Sequence, residues 1–192
     1  GSVYLTLDRP DSRIIRLEPG HYIKTDRHDR QRIYQTVFSR VTGVEFVCIR
    51  LSEDAVMEPR AFRDRFTEED DGEPGYLIPQ TDDMEELWSS EMIENLPSAW
   101  WKEYKDGRID IVPKYRNRVP QEIFYDENGN YSFLENPGQN QQRGWFMPTP
   151  LLFDPTSLTF YDAKTSDQSK LMRLGNEGRS TATTTLSLAT IK

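Results

Sequence analysis

The segment that most constrains the fold lies at residues 123–133, where Asn128-Gly129 separates two runs rich in aromatic residues. An Asn-Gly dipeptide readily adopts the positive φ angles of a two-residue turn, and aromatic flanks favour strands. The segment therefore predicts a β-hairpin, and it is the clearest local structural signal in the chain.

Further strands are predicted around this hairpin. Strand-like alternation appears at residues 3–7 and 13–17, and an apolar run at 44–51 predicts a buried strand. Residues 108–112 are another candidate strand. Residues 145–153 are apolar but contain two prolines, which favours an edge strand or a packed extended segment.

Four segments predict helices. Apolar residues repeat at helical spacing over residues 29–41, although the same Tyr, Thr and Val residues also favour a strand. Shorter helices are predicted at 58–66, 84–93 and 99–104, the last ended by an Asp-Gly pair.

These elements predict a mixed α+β fold. A β-rich domain with short helices would cover residues 1–163, and a junction segment with a helix start would follow at 164–192. The chain begins Gly1-Ser2 and stops at Lys192 within an apparently helical pattern. We therefore expect it to be a piece of a longer protein.

Composition restricts the class of protein. Aromatic residues make up 11% of the chain, which indicates a folded protein. The net charge of −8 argues against nucleic-acid binding through a uniform positive field, although local basic clusters can still bind. No apolar run approaches the ~18 residues that span a bilayer, and no signal peptide is recognisable. We expect a cytoplasmic protein without a membrane partner.

Residues for metal or nucleophilic chemistry are scarce. Cys48 is the single cysteine and lies in an apolar run, so a buried thiol is expected and a disulfide within the chain is excluded. His21 and His28 lack companion ligands at metal-site spacing. The acidic run at 68–75 lacks the alternating ligands and closing Glu of a calcium loop. The sequence predicts no metal, cofactor or catalytic residue in this chain.

One basic cluster is a candidate binding surface. It comprises Lys114, Tyr115, Arg116 and Arg118. Three cations beside an aromatic ring can hold a phosphate backbone or stack a base. A charged strand edge protected against aggregation is the alternative. The neighbouring Trp100-Trp101 pair is either a stacking platform or an anchor to the core.

The last residues superficially resemble a phosphate-binding loop. Gly175 and Gly178 precede Arg179 and a run of hydroxyl side chains. A Walker A loop needs four residues between its glycines and a lysine after the second, and both features are missing. A hydroxyl-rich helix start can still accept a backbone phosphate. The candidate contacts are Arg173, Arg179, Ser180, Thr181 and Thr183.

Residues 144–192 resemble a segment of large superfamily 2 helicases of the DEAD/DEAH-box type that carry a C-terminal domain of unknown function. The resemblance rests on "GWFMPTPLLFDP" and above all on "EGRSTATT" at residues 177–184. In that family the second string lies just upstream of the second RecA-like motor lobe. Many relatives have a zinc-ribbon cysteine pair after the first string, where this chain has Asp154-Pro155. The hairpin predicted at 153–161 must then be held by packing and turn chemistry.

The resemblance implies an accessory domain of an ATP-dependent DNA helicase of the anti-phage defence or DNA repair type. ATP and Mg²⁺ would bind in the parent motor lobes, with none in this fragment, and the C-terminal helix would lead toward a RecA-like lobe. The implied partners are DNA, the other lobes and further subunits of a defence or repair complex. A non-enzymatic interaction module, docking a protein through its acidic surface, is the competing hypothesis.

Overall fold

A computed structural model describes residues 1–64 and 71–174, and the described chain is mostly β-sheet with a few short helices. The strands are β1 (Val3–Leu5), β2 (Ile15–Arg16), β3 (Tyr22–Ile23), β4 (Gln31–Arg32), β5 (Tyr34–Ser39), β6 (Glu45–Leu51), β7 (Met57–Pro59), β8 (Glu73–Pro79), β9 (Trp101–Glu103), β10 (Ile109–Ile111), β11 (Gln121–Tyr125), β12 (Tyr131–Ser132), β13 (Gln142–Pro148), β14 (Phe153–Asp154), β15 (Thr159–Phe160) and β16 (Leu171–Met172). The described helices are all of the 3₁₀ type: η1 (Ser90–Asn95), η2 (Ser98–Trp100), η3 (Pro113–Arg118) and η4 (Asp167–Ser169).

The main sheet is antiparallel and has the order β12-β11-β13-β8-β6-β5-β1-β2. Two strands lie off this path: β7 pairs with β6, and β16 pairs with β5. Separate two-stranded ladders join β3 to β4, β9 to β10 and β14 to β15.

The sheet closes on itself through β7. Met57 N–H donates to the carbonyl of Gly129 at 2.8 Å, and Tyr131 N–H donates to the carbonyl of Ala55 at 3.1 Å. These bonds connect β7 to the β11–β12 turn, so strands β6, β7, β12, β11, β13 and β8 form a ring. Closure removes exposed sheet edges from this part of the molecule.

A tightly packed core fills the ring. Its members are Leu7, Tyr34, Val47, Ile49, Leu51, Met57, Leu77, Ile123, Tyr125 and Phe146. Gly75 allows the sheet to curl here, because a Cβ at this position would lie 2.4 Å from the carbonyl oxygen of Met147. Close backbone approach of this kind requires glycine.

A second core covers the outer face of the sheet. It joins sheet residues such as Phe46 and Trp145 to residues from two long connections, including Trp88, Trp100 and Phe153. Trp88 meets Phe153 edge to face, with ring centroids 5.8 Å apart. The segment between β8 and β11 is therefore a packed layer on the sheet.

A buried ion pair fixes the last connection. The Lys170 ammonium donates to the carbonyl of Leu151 at 2.6 Å and lies 3.1 Å from the Asp167 carboxylate. That carboxylate also accepts the Tyr76 hydroxyl at 2.7 Å. A buried lysine is tolerated because its charge is paired and its donors are bonded.

Several sequence predictions are confirmed. The strands expected at residues 3–7, 13–17, 44–51 and 108–112 contain β1, β2, β6 and β10. Both predicted hairpins form, as β11–β12 and β14–β15. Cys48 is fully buried, and burial raises the pKa of its thiol to about 11. The described residues contain no helix long and apolar enough to cross a membrane.

The helix predictions were wrong for residues 29–41, where the strand alternative forms, and for 58–64, and were right only in part for 84–93 and 99–104. Residues 31–39 form β4 and β5; all six residues of β5 are buried, because it packs on both faces and loses the alternation that marks a strand. Residues 58–64 contain the end of β7 and a turn, and only 90–93 of the segment 84–93 are helical, in η1. For the segment 145–153 the edge-strand alternative was wrong, because β13 lies between β11 and β8, and the residues after β13 are packed, with Leu151, Leu152 and Phe153 buried.

Candidate nucleic-acid interface

The basic cluster at residues 114–118 lies on the short helix η3 and does not form a strand edge. Pro113 occupies the first turn of η3, where its fixed φ angle suits a helix and its missing N–H is no loss. The extended backbone of Val112 precedes it, with φ −66° and ψ 147°. Proline therefore determines where the chain leaves β10 and begins to turn.

The four side chains of the cluster have different environments. Lys114 and Arg116 are exposed, and Arg116 lies 3.9 Å from the Asp110 carboxylate. Tyr115 stacks on Trp100 with centroids 4.7 Å apart and an interplanar angle of 5°. Arg118 donates to the carbonyl of Pro150 at 3.0 Å. Lys114 and Arg116 thus present charge to solvent, while Tyr115 and Arg118 attach the helix to the protein.

The Trp100-Trp101 pair anchors this region to the core. Trp100 is buried and carries Tyr115 on its face, and the Trp101 indole N–H donates to the carbonyl of Leu96 at 3.2 Å. Of the two roles expected for the pair, the structure supports the anchor. One face of the Tyr115 ring is consequently covered by protein.

The helix predicted over residues 99–104 forms only as far as Trp100, in η2, and the chain from Trp101 forms a hairpin. Strands β9 and β10 pair with Lys102 opposite Asp110, and Gly107 has a φ of 84° in the connecting turn. An Asp-Gly pair can end a helix or form a hairpin turn, since both need a positive φ. Here it forms the turn, and Gly107 N–H donates to the carbonyl of Tyr104 at 2.9 Å.

Two cations lie against the ring of Tyr104 in this hairpin. The ammonium of Lys102 is 4.4 Å from the ring centroid, and the guanidinium carbon of Arg108 is 4.7 Å from it. Neither cation was singled out from the sequence. The missed signal was the i, i+2 spacing of Lys102 and Tyr104, which places them on one face of a strand.

Residues 101–118 concentrate positive charge in an acidic protein. The segment contains six Lys or Arg residues and three Asp or Glu residues. The other 174 residues carry 18 cations and 29 carboxylates. In the part of the chain that the structure describes, Arg116–Asp110 is the one ion pair in this segment. Lys102, Lys105, Arg108 and Lys114 are exposed and keep their charge available to a ligand.

Of the remaining predicted contacts, the structure describes only Arg173. Arg173 follows β16, which pairs with β5, whereas η3 packs against β13 on the other side of β8 and β6. Arg173 and η3 therefore lie next to different strands of the main sheet, β5 and β13, which are separated by β6 and β8. Arg179, Ser180, Thr181 and Thr183 lie outside the described residues.

An open cleft of about 520 Å³ lies between the β1–β2 loop, the β5–β6 turn and the chain after β8. Its two arginines are engaged by protein groups: Arg13 pairs with Glu45, and Arg9 donates to Asn140 at 2.7 Å. The cleft is thus less suited to an anionic ligand than the hairpin and η3. Among the described residues, no group of three or more His, Cys, Asp or Glu side chains could hold a metal ion.

Comparison with protein-family models, curated proteins and solved structures gave no match.

Proposed function

We propose that this chain is a non-catalytic, DNA-contacting domain of an ATP-dependent superfamily 2 helicase that acts in the cytoplasm. The observation that carries the proposal is the concentration of exposed cations at residues 101–118 of an otherwise acidic protein. The resemblance of residues 144–192 to the helicase segment supports the same class. A localised basic surface suits DNA because it attracts the phosphates, while the acidic remainder of the protein repels them and so restricts binding to this surface.

In this proposal η3 holds the backbone of DNA. Lys114 and Arg116 contact phosphates, because both are exposed and Arg116 has only a distant carboxylate partner. The stack of Tyr115 on Trp100 and the bonds of Arg118 to backbone carbonyls fix the helix to the sheet. Phosphate contacts of this kind position a protein on DNA and carry no sequence information.

The C-terminal residues complete the proposed DNA path. Arg173, Arg179, Ser180, Thr181 and Thr183 would contact the phosphate backbone or the second motor lobe, as the resemblance implies. ATP and Mg²⁺ would be bound by the motor lobes of the parent protein. This chain would link those lobes and guide the DNA between them, in a defence or repair complex.

The proposal is tested by reversing the charge of η3. We expect the double variant Lys114→Glu/Arg116→Glu to bind a labelled DNA oligonucleotide about tenfold more weakly, equivalent to about 1.4 kcal/mol. The slope of its log Kd against log salt concentration should also be smaller, by the amount expected for the loss of about two phosphate contacts. Fluorescence anisotropy over a salt series measures both quantities.

A matched control distinguishes the effect of where the charge is changed from the effect of the change in net charge. Lys24 and Lys164 are exposed and lie far from η3 in sequence, so Lys24→Glu/Lys164→Glu makes the same change in net charge. The control should retain most of the affinity. Equal losses of affinity in the two variants would contradict a localised interface. Absence of DNA binding by the parent chain would contradict the proposed function itself.

A protein-docking module is the second candidate, favoured by the excess of 29 carboxylates over 18 cations outside the basic segment. Its partner would be a basic protein surface. Arg179→Ala distinguishes the two functions in a protein that also contains the motor lobes. Weaker DNA binding with a flatter salt dependence supports the DNA path. Unchanged DNA affinity and ATPase rate, with loss of a partner, supports docking.

A further inference from the structure

The β9–β10 hairpin has two unlike faces. Trp101, Ile109 and Ile111 pack against the outer core. Lys102 and Tyr104 alternate with Trp101 along the chain and so lie on the opposite face. The hairpin is therefore anchored by its apolar face and presents its aromatic and basic side chains outward.

The tip of this hairpin is free of neighbours within the described structure. A Cβ atom placed on Gly107 would meet no heavy atom within 4 Å. Asp106 and Arg108 flank this glycine, and both are exposed, as is Lys105. The space beside Gly107 is therefore open within the described structure.

The outward face also continues into η3. Asp110 lies opposite Lys102 in the ladder, and its carboxylate is the group that Arg116 approaches to 3.9 Å. The same carboxylate accepts the backbone N–H of Ile111 at 2.8 Å. Asp110 is thus already engaged, and Asp106 at the tip accepts the backbone N–H of Arg108 at 3.0 Å. The cations at the Tyr104 ring come from β9 and from the chain after the tip, and those of η3 lie beyond Asp110.

We propose that the β9–β10 hairpin binds single-stranded nucleic acid, with Tyr104 stacking on a base and Lys102 and Arg108 contacting the adjoining phosphates. This inference rests on the proposed function and names the strand form and the side chain that contacts the base. An unpaired base has an exposed ring face, whereas a base within a duplex is already stacked. An aromatic ring among cations therefore suits a single strand better than a duplex.

The two cations at the Tyr104 ring do not prevent stacking. Contacts between exposed cations and aromatic rings are weak, and stacking of a base on an aromatic side chain is stronger. A base can displace the flexible Lys102 chain from the ring, and the ammonium then reaches a phosphate. An acidic peptide would satisfy the cations but would leave the ring without a planar partner.

Tyr22 provides an internal comparison. The guanidinium carbon of Arg30 lies 3.7 Å from its ring centroid and that of Arg32 lies 5.7 Å away. Arg32, however, pairs with Glu58 at 3.0 Å and donates to the carbonyl of Asn128 at 3.1 Å. Tyr22, like Tyr104, is an aromatic ring with two cations beside it, but one of the cations at Tyr22 is already paired with a carboxylate.

The test is anisotropy of a labelled oligo(dT) of about 16 nucleotides, within the site size of single-strand binders. We expect Tyr104→Ala and Tyr104→Leu to bind about tenfold more weakly, while Tyr104→Phe retains near-normal affinity because it keeps the ring. The control Tyr22→Ala should bind as the parent does. Affinity for a duplex of equal length should change less than twofold in all four variants.

Three results would overturn the inference. The first is normal oligo(dT) binding by a Tyr104→Leu variant whose unfolding temperature is unchanged. The second is an equal loss of duplex and single-strand binding in that variant. The third is displacement of oligo(dT) by poly-glutamate as effectively as by unlabelled oligo(dT), which would assign the face to an acidic peptide.

The same measurements separate this inference from the proposed function. If Lys114→Glu/Arg116→Glu weakens DNA binding and Tyr104→Leu does not, the DNA-contacting function stands and the hairpin assignment fails. If neither variant weakens binding, both fail.

Discussion

Two hairpins of this protein have similar turns and opposite surroundings. The β9–β10 turn contains Gly107 with φ 84°, and the β11–β12 turn contains Gly129 with φ 86°. A Cβ on Gly107 would meet nothing within 4 Å, whereas a Cβ on Gly129 would lie 2.8 Å from the Tyr34 hydroxyl and 3.0 Å from the Met57 carbonyl oxygen. The same local conformation thus forms a free tip in one hairpin and a buried joint in the other.

The charged side chains of the two turns differ in the same way. Around the β11–β12 turn, Glu127 pairs with Arg27 at 3.0 Å and lies 2.8 Å from the His28 ring, and Arg32 reaches the carbonyl of Asn128. Around the β9–β10 turn, Lys105 and Arg108 have no ion-pair partner among the described residues. Charges that are satisfied internally hold the fold, and charges left exposed remain available to a ligand.

Replacing the turn glycines, Gly129 and Gly107, should give the largest difference in stability between the two hairpins. Gly129→Ala should lower the free energy of unfolding by about 3 kcal/mol, because a left-handed alanine costs about 1–2 kcal/mol and the new methyl also meets backbone and Tyr34. Gly107→Ala should cost only about 1 kcal/mol, the conformational part alone. Urea unfolding followed by tryptophan fluorescence measures both. Equal losses would show that the β11–β12 turn does not close the ring.

Removing one tyrosine hydroxyl near each hairpin, that of Tyr34 or that of Tyr104, should give a smaller difference in stability. The buried Tyr34 hydroxyl donates to the carbonyl of Met57 at 2.6 Å, so Tyr34→Phe should lower the free energy of unfolding by about 1–2 kcal/mol. Tyr104→Phe removes a hydroxyl from the outward-facing hairpin and should leave stability unchanged. Thermal unfolding of the two variants beside the parent chain checks this. A larger loss in Tyr104→Phe would mean that the β9–β10 hairpin is structurally anchored at its tip.

The sequence was most informative where structure is local. The β11–β12 hairpin was predictable because the Asn128-Gly129 pair marks a turn, although only Gly129 of the two has a positive φ and the connection spans residues 126–130. The closure of the ring was not predictable, since it depends on a bridge between Val56 and Asn130, which are distant in the chain. Nothing in the local pattern around either residue indicates that partner.

Elsewhere the sequence supported two structures equally well. In β5, burial on both faces produced an apolar pattern that also fits a helix, and sheet pairing decided the outcome. At residues 101–107 the Asp-Gly pair fitted a helix end and a hairpin turn alike. The cations of η3 were identified from their spacing in sequence, but Tyr104 was not. The i, i+2 spacing of Lys102 and Tyr104 gives a shared face only in a strand, the segment was predicted as a helix, and Arg108 reaches the ring only when the hairpin forms.

Amide hydrogen exchange with and without oligo(dT) tests the contrast between the two hairpins most directly. At saturating oligonucleotide, we predict slower exchange at residues 102–118 and no change at residues 121–132, because the first hairpin binds the strand and the second is a structural joint. Protection of 121–132, or unchanged exchange throughout 102–118 while the oligonucleotide is bound, would contradict the account.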